Sequence, residues 1–130
     1  MSNNRTTLGK AGAGTVNAFR FCKRNALVID QASTSQDEIL GVAAETATTG
    51  KQLAIIIEGL VEVDFAAAVA PGTLLTSDAN GKAVAAAVAV PTELIVGEYC
   101  PEPVNGAVAN STSGARGRVL LYSNKMTIKV

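Results

Sequence analysis

The sequence predicts an all-β fold, a small barrel or sandwich of about eight to ten short strands, with an extended arm at the N-terminus. Three observations predict it. Alternating or β-branched apolar runs recur along the chain, separated by Gly, Pro, Asn and Asp turn signals. Asn80-Gly81 lies between two such runs, and Asn-Gly is the strongest short hairpin signal because both residues tolerate positive φ. Only Ala83–Ala89 also suits a helix, and there Val84, Val88 and Val90 after the Asn-Gly turn favour a strand.

Residues 1–17 are mostly Gly, Ala, Asn, Thr and basic side chains, with Leu8 and Val16 as apolar exceptions. They read as an arm that orders only against something else, ahead of a β-barrel domain over 18–130. Ala18-Phe19-Arg20-Phe21-Cys22-Lys23 alternates apolar and basic, the period of a half-buried strand. A turn at Asn25 leads to Ala26–Ile29, and Gln31–Asp37 is a polar loop. Ile39–Ala44 is a strand containing Gly41, which suggests a bulge or a tight bend. Leu53–Ile57 is a continuous apolar run, as expected for a strand covered on both faces. Leu60–Phe65 alternates, Pro71-Gly72 makes a turn, and Thr73–Thr76 pairs across Asn-Gly with Ala83–Ala85. Glu93–Cys100 is a strand interrupted by Pro101-Glu102-Pro103. A polar loop over 105–117 precedes strands at Arg118–Tyr122 and Met126–Val130.

A short internal repeat runs through this plan. Ile39-Leu40-Gly41-Val42 is echoed by Ile95-Val96-Gly97-Glu98, and a further glycine follows nine residues after each, Gly50 and Gly106. An apolar strand comes next in both cases. The pattern suggests duplicated hairpin architecture within one barrel.

Composition narrows the function. Apolar residues are 48 % of the chain, but aromatics are only 4 % and there is no Trp. Small side chains bury less area each, at about 25 cal/mol per Å², so further burial between subunits is expected. The chain has no His. That removes the Ser-His-Asp and Cys-His pairings and the commonest metal ligand, while carboxylate or Lys chemistry stays open. Cys22 and Cys100 form no zinc-type spacing and are expected to be reduced and buried. No signal-peptide pattern or long uncharged apolar run is present, so a soluble chain made in a cytoplasm is expected.

Net charge is zero but unevenly spread. Residues 1–29 carry Arg5, Lys10, Arg20, Lys23 and Arg24 and no acid, a charge of +5. Residues 30–102 hold all 11 acids against Lys51 and Lys82, a charge of −9. Arg116, Arg118, Lys125 and Lys129 give the last segment +4. Basic ends either meet an acidic partner or neutralise the acidic middle of the fold.

Motifs with catalytic or ligand-binding meaning are weak. Gly9–Asn17 is Gly-rich but lacks the third Gly and the strand–helix context of a dinucleotide site. Gly50-Lys51-Gln52 lacks the remainder of a phosphate loop. Glu62 and Asp64 would share one strand face, better read as a solvated or interfacial face than as an acid/base pair. Asn110-Ser111-Thr112 matches a glycosylation acceptor without a secretory route. The basic arm has only Phe19 and Phe21 to stack on bases, so direct nucleic-acid binding is not expected.

Several runs resemble the capsid cement, or decoration, proteins of tailed bacteriophages. These are Ala18–Arg24, Ile39–Glu45, Ile57–Val63 and Ala70–Ala83, with Ile95–Glu98 and Val119–Leu121 in the same pattern. The resemblance implies a small β-barrel on the outside of a phage head, as a homotrimer that bridges major capsid proteins and stiffens the shell. It implies no enzyme activity, no cofactor, no metal and no membrane. Together with the charge blocks it gives an expected contact set: Arg5, Leu8 and Lys10 on the arm, Val16 as a second apolar anchor, and Arg20, Lys23 and Arg24 facing acidic capsid side chains. A carbohydrate-binding barrel is the alternative, with Tyr99 and Tyr122 as its available aromatics.

Overall fold

The computed structural model describes residues 5–12, 14–35, 37–86 and 94–127. They form nine strands: β1 (Arg5–Lys10), β2 (Phe21–Asn25), β3 (Val28–Gln31), β4 (Ile39–Ala43), β5 (Gln52–Asp64), β6 (Leu74–Ser77), β7 (Ala83–Ala85), β8 (Leu94–Tyr99) and β9 (Arg116–Thr127). The all-β expectation holds, and no helix occurs among the described residues. All strands belong to one curled sheet in the order β3-β2-β4-β5-β9-β8-β6-β7, with β1 paired to β5 off this path.

That order is a palindrome. Hairpin β2–β3, then β4, then β5 is mirrored by hairpin β6–β7, then β8, then β9, and the central strands pair antiparallel from Gly59↔Leu121 to Asp64↔Arg116. The repeat read around Gly41 and Gly97 marks the same place in each half. A Cβ on Gly41 would meet the Ile56 carbonyl of the next strand, and one on Gly97 would meet the Leu120 carbonyl. At both positions the neighbouring backbone leaves room only for hydrogen.

Two hydrophobic clusters form the core, the larger shared by both halves and the smaller confined to the first. The larger cluster collects Leu75, Val96, Tyr99, Val119 and Leu121 from the second half, and Phe21, Ile39, Val42, Val61 and Val63 from the first, with Phe65 just after β5. Phe65 and Tyr99 meet edge-on, ring centroids 5.1 Å apart. The smaller cluster holds Ala11, Val16, Cys22, Ile29, Leu53 and Ile55. Burying each larger aliphatic or aromatic side chain stabilises by about 1.5–3 kcal/mol. Hydrogen bonds also draw the ends of the sheet together: Phe21 N–H donates to the Gly81 carbonyl (2.8 Å) and Ala66 N–H to the Ala83 carbonyl (3.0 Å).

Two pairs of expected strands are in fact single long ones. Leu53–Ile57 and Leu60–Phe65 fuse into β5, because Gly59, at φ 104°, carries the bend without ending the strand. Arg118–Tyr122 and the start of Met126–Val130 both lie in β9, with residues 128–130 outside the described range. Ala83–Ala85 is a strand; residues 87–90 lie outside the described residues.

The described part of the expected arm is laid on the body. β1 pairs along β5 from Thr6↔Ile56 to Lys10↔Gln52. Thr7 and Gly9 turn inward, and a Cβ on Gly9 would press on Ile29 Cγ1 at 2.6 Å. Ala11 N–H donates to the Lys51 carbonyl, and Val16, 0 % exposed, exchanges backbone hydrogen bonds with Ala47. Ala11 and Val16 belong to the smaller core. Residues 1–4 of the arm lie outside the described residues.

Candidate capsid-contact surface

The seven expected contact residues separate into two groups. Arg20, Lys23 and Val16 work inside the fold. Arg20 Nε donates to Asp64 Oδ2 at 2.9 Å, and Arg116 Nε donates to the other carboxylate oxygen at 3.1 Å. The Arg116 guanidinium also lies 3.7 Å from the Phe19 ring centroid. Phe19 sits at φ 65°, a conformation disfavoured by about 1–2 kcal/mol for a residue with a Cβ. It is fixed there by its N–H to the Ala43 carbonyl and its own carbonyl to Asp64 N–H. Arg20 thus ties the turn before β2 to β5 and β9.

Lys23 Nζ reaches Asp37 Oδ2 at 3.2 Å, and the same oxygen accepts the Ser33 and Thr34 amides. Burial pushes the Asp37 carboxyl upward, but those two amides and Lys23 outweigh it, leaving the group below its ordinary value of 3.8. These pairings give Arg20 and Lys23 carboxylate partners within the chain itself. The acidic middle of the chain supplies their counter-charges, Asp64 and Asp37. Val16 is covered by the smaller core of its own chain.

Arg5, Leu8, Lys10 and Arg24 remain on the surface. Leu8 is 66 % exposed, on the outward face of β1 opposite Ala54. Lys10 shares that face opposite Gln52. Arg5 pairs with Glu58 at 2.6 Å while its side chain stays 71 % exposed. Arg5 and Arg24 also border one open groove of about 430 Å³, walled by Ile39, Leu40 and Ile57, with Glu38 and Glu58 on its rim. A second, smaller groove of about 230 Å³ is lined by Phe19, Ala43, Ala44, Ile56, Leu60 and Glu62, among others. Charge reading alone missed these grooves, since their walls come from apolar residues already assigned to strands.

The rest of the surface offers little chemistry. Among the described residues no group of three or more His, Cys, Asp or Glu side chains could hold a metal. Tyr99 is buried in the larger core. Tyr122 is half-buried, and its hydroxyl donates to Glu98 Oε1 at 3.3 Å. Burial, then the Glu98 charge and this hydrogen bond, raise the phenol above its ordinary 10.0. Neither ring forms the open platform a sugar needs. Cys22 is buried and Cys100 half-buried, both as free thiols.

A family model for phage cement proteins matches residues 3–120. The chain belongs to the phage cement protein family. Its role is therefore a structural one at the capsid, in association with the virion, and the family is not a class of enzymes. No curated protein matches the chain. Among solved structures it is similar to the N base of head fiber gp8.5 of bacteriophage phi29. The identity is 14 %, the TM-score 0.65, and the alignment covers 98 % of this chain and 99 % of that one. At that identity the likeness concerns the fold alone, over almost the full length of both chains.

Proposed function

We propose that this cement protein binds the outer surface of a phage head as a homotrimer and bridges neighbouring major capsid proteins, so that the shell resists the pressure of packaged DNA. Synthesis in the host cytoplasm, with no cofactor and no direct contact with nucleic acid, completes the reading. The observation that carries it is the family match over residues 3–120. The contact surface is the outward face of β1 with Leu8 and Lys10, continued by Arg5 and Arg24 at the larger groove. An exposed Leu among cations suits a partner surface with an apolar centre and acidic rim. Several copies of a modest contact add by avidity in a trimer.

The test is to mix the purified chain with expanded heads that lack it, sediment them, and heat the washed particles. Retention at stoichiometric occupancy, with heads that survive higher temperature, is expected. Absence of retention contradicts capsid binding. Retention without any gain in shell stability contradicts bridging.

A further inference from the structure

The two halves of the sheet diverge at one point. In the second half the β8–β9 ladder absorbs a register shift between Ile95 and Gly97 and continues to Leu94↔Thr127. In the first half the β4–β5 ladder consists of Val42↔Ile56 and Ala43↔Ile55. Beyond it, the bend at Gly59 carries β5 across to β9. Ile39 and Leu40 therefore lie on the β2-paired strand with, among the described residues, no ladder partner on the other side, while Gly41 is still pressed against the Ile56 carbonyl. The space opened by the splay is the 430 Å³ groove, floored by Leu40 and Ile57.

We propose that this groove is a strand-acceptor slot, in which an extended segment of the capsid protein lies beside β4 as β9 lies beside β8 in the other half. The proposal rests on the capsid-binding reading above and names how that surface grips. Main-chain pairing along β4 supplies affinity, and alternate side chains supply selectivity. One apolar side chain of the segment covers Leu40 and Ile57. The rim sets the charges: Arg24 and Glu38 are both exposed there, and no ion pair involves either among the described residues. The incoming segment accordingly carries an acid for Arg24 and a base for Glu38. A second copy of this chain is a poorer occupant. Its outer strands are β1 with Arg5 and Lys10 but no acid, β3 with Asp30 but no base, and β7 with neither.

Hydrogen exchange on the free chain and on the chain bound to its own expanded heads tests this. On binding, amides over Glu38–Leu40 should slow by roughly tenfold or more, while those over Glu102–Asn110 keep their rate. Arg24→Glu should lower retention on heads roughly tenfold with an unchanged melting temperature. Retention with no slowing at Glu38–Leu40 overturns the slot and leaves capsid binding standing. Equal slowing over every strand reports general stabilisation and also overturns the slot. No retention at all overturns both.

Discussion

Strand for strand, β2 to β5 matches β6 to β9: a hairpin, a strand with a glycine pressed on its neighbour's carbonyl, then a long central strand. The differences lie around this shared frame. The first half gains β1 on the flank of β5, connects β4 to β5 through residues 44–51, and opens between β4 and β5. The second half keeps its ladder and connects β8 to β9 through residues 100–115, twice the length. That longer connection is pinned at its base, where the buried Ser111 hydroxyl accepts Val69 N–H at 2.8 Å and donates to the Ala67 carbonyl at 3.2 Å. The duplicated frame needs backbone closeness at fixed points. Everything attached to it is free to differ, and the exposed basic and apolar side chains of the proposed surface belong to the half that was modified with β1.

The largest expected effect separates the two cores. Phe65→Ala removes the partner of Tyr99 and should cost about 4 kcal/mol, read by chemical denaturation. Gly41→Ala and Gly97→Ala should each cost roughly 3 kcal/mol, because a methyl group would strike backbone that cannot move independently. Similar losses at both sites support equivalence of the halves; tolerance at one site breaks it. Asp64→Asn weakens the links to Arg20 and Arg116 and should cost about 2 kcal/mol.

A smaller contrast lies within β1 and the segment after it. Val16→Ala should cost about 2 kcal/mol, because it empties part of the smaller core. Leu8→Ala should change stability by less than about 0.5 kcal/mol and instead reduce retention on heads. Deleting residues 1–17 as a whole would not separate these roles, since it removes both β1 and Val16. The smallest effect is at Asp37. Its folded pKa lies below the ordinary 3.8, so its contribution is present above that value and is lost as pH falls through the folded pKa. Acid denaturation should therefore show an Asp37-dependent loss only below about pH 4, absent in Asp37→Asn.

The β class, the Asn80-Gly81 hairpin and the Gly41/Gly97 correspondence could be read from the residues, because each is a local requirement of backbone conformation or spacing. β1 could not be read in that way. Its inward positions, Thr7 and Gly9, are small because Ile29 and Ile55 already fill the space, so no apolar alternation survives in the sequence. The same limit applies to charge. Arg20 and Arg24 look alike as basic residues near one another, yet Asp64, distant in sequence, reaches Arg20, while Arg24 stays on the groove rim. Pairing across such separations depends on the closed sheet, and one-dimensional charge blocks do not contain it.

The most direct measurement is a map of a full head carrying the chain, at a resolution that shows side chains. Leu8, Lys10, Arg5 and Arg24 should lie against capsid protein, with Val16, Arg20 and Lys23 still held inside the cement subunit. A subunit whose β1 face and neighbouring groove point to solvent would contradict the proposed grip.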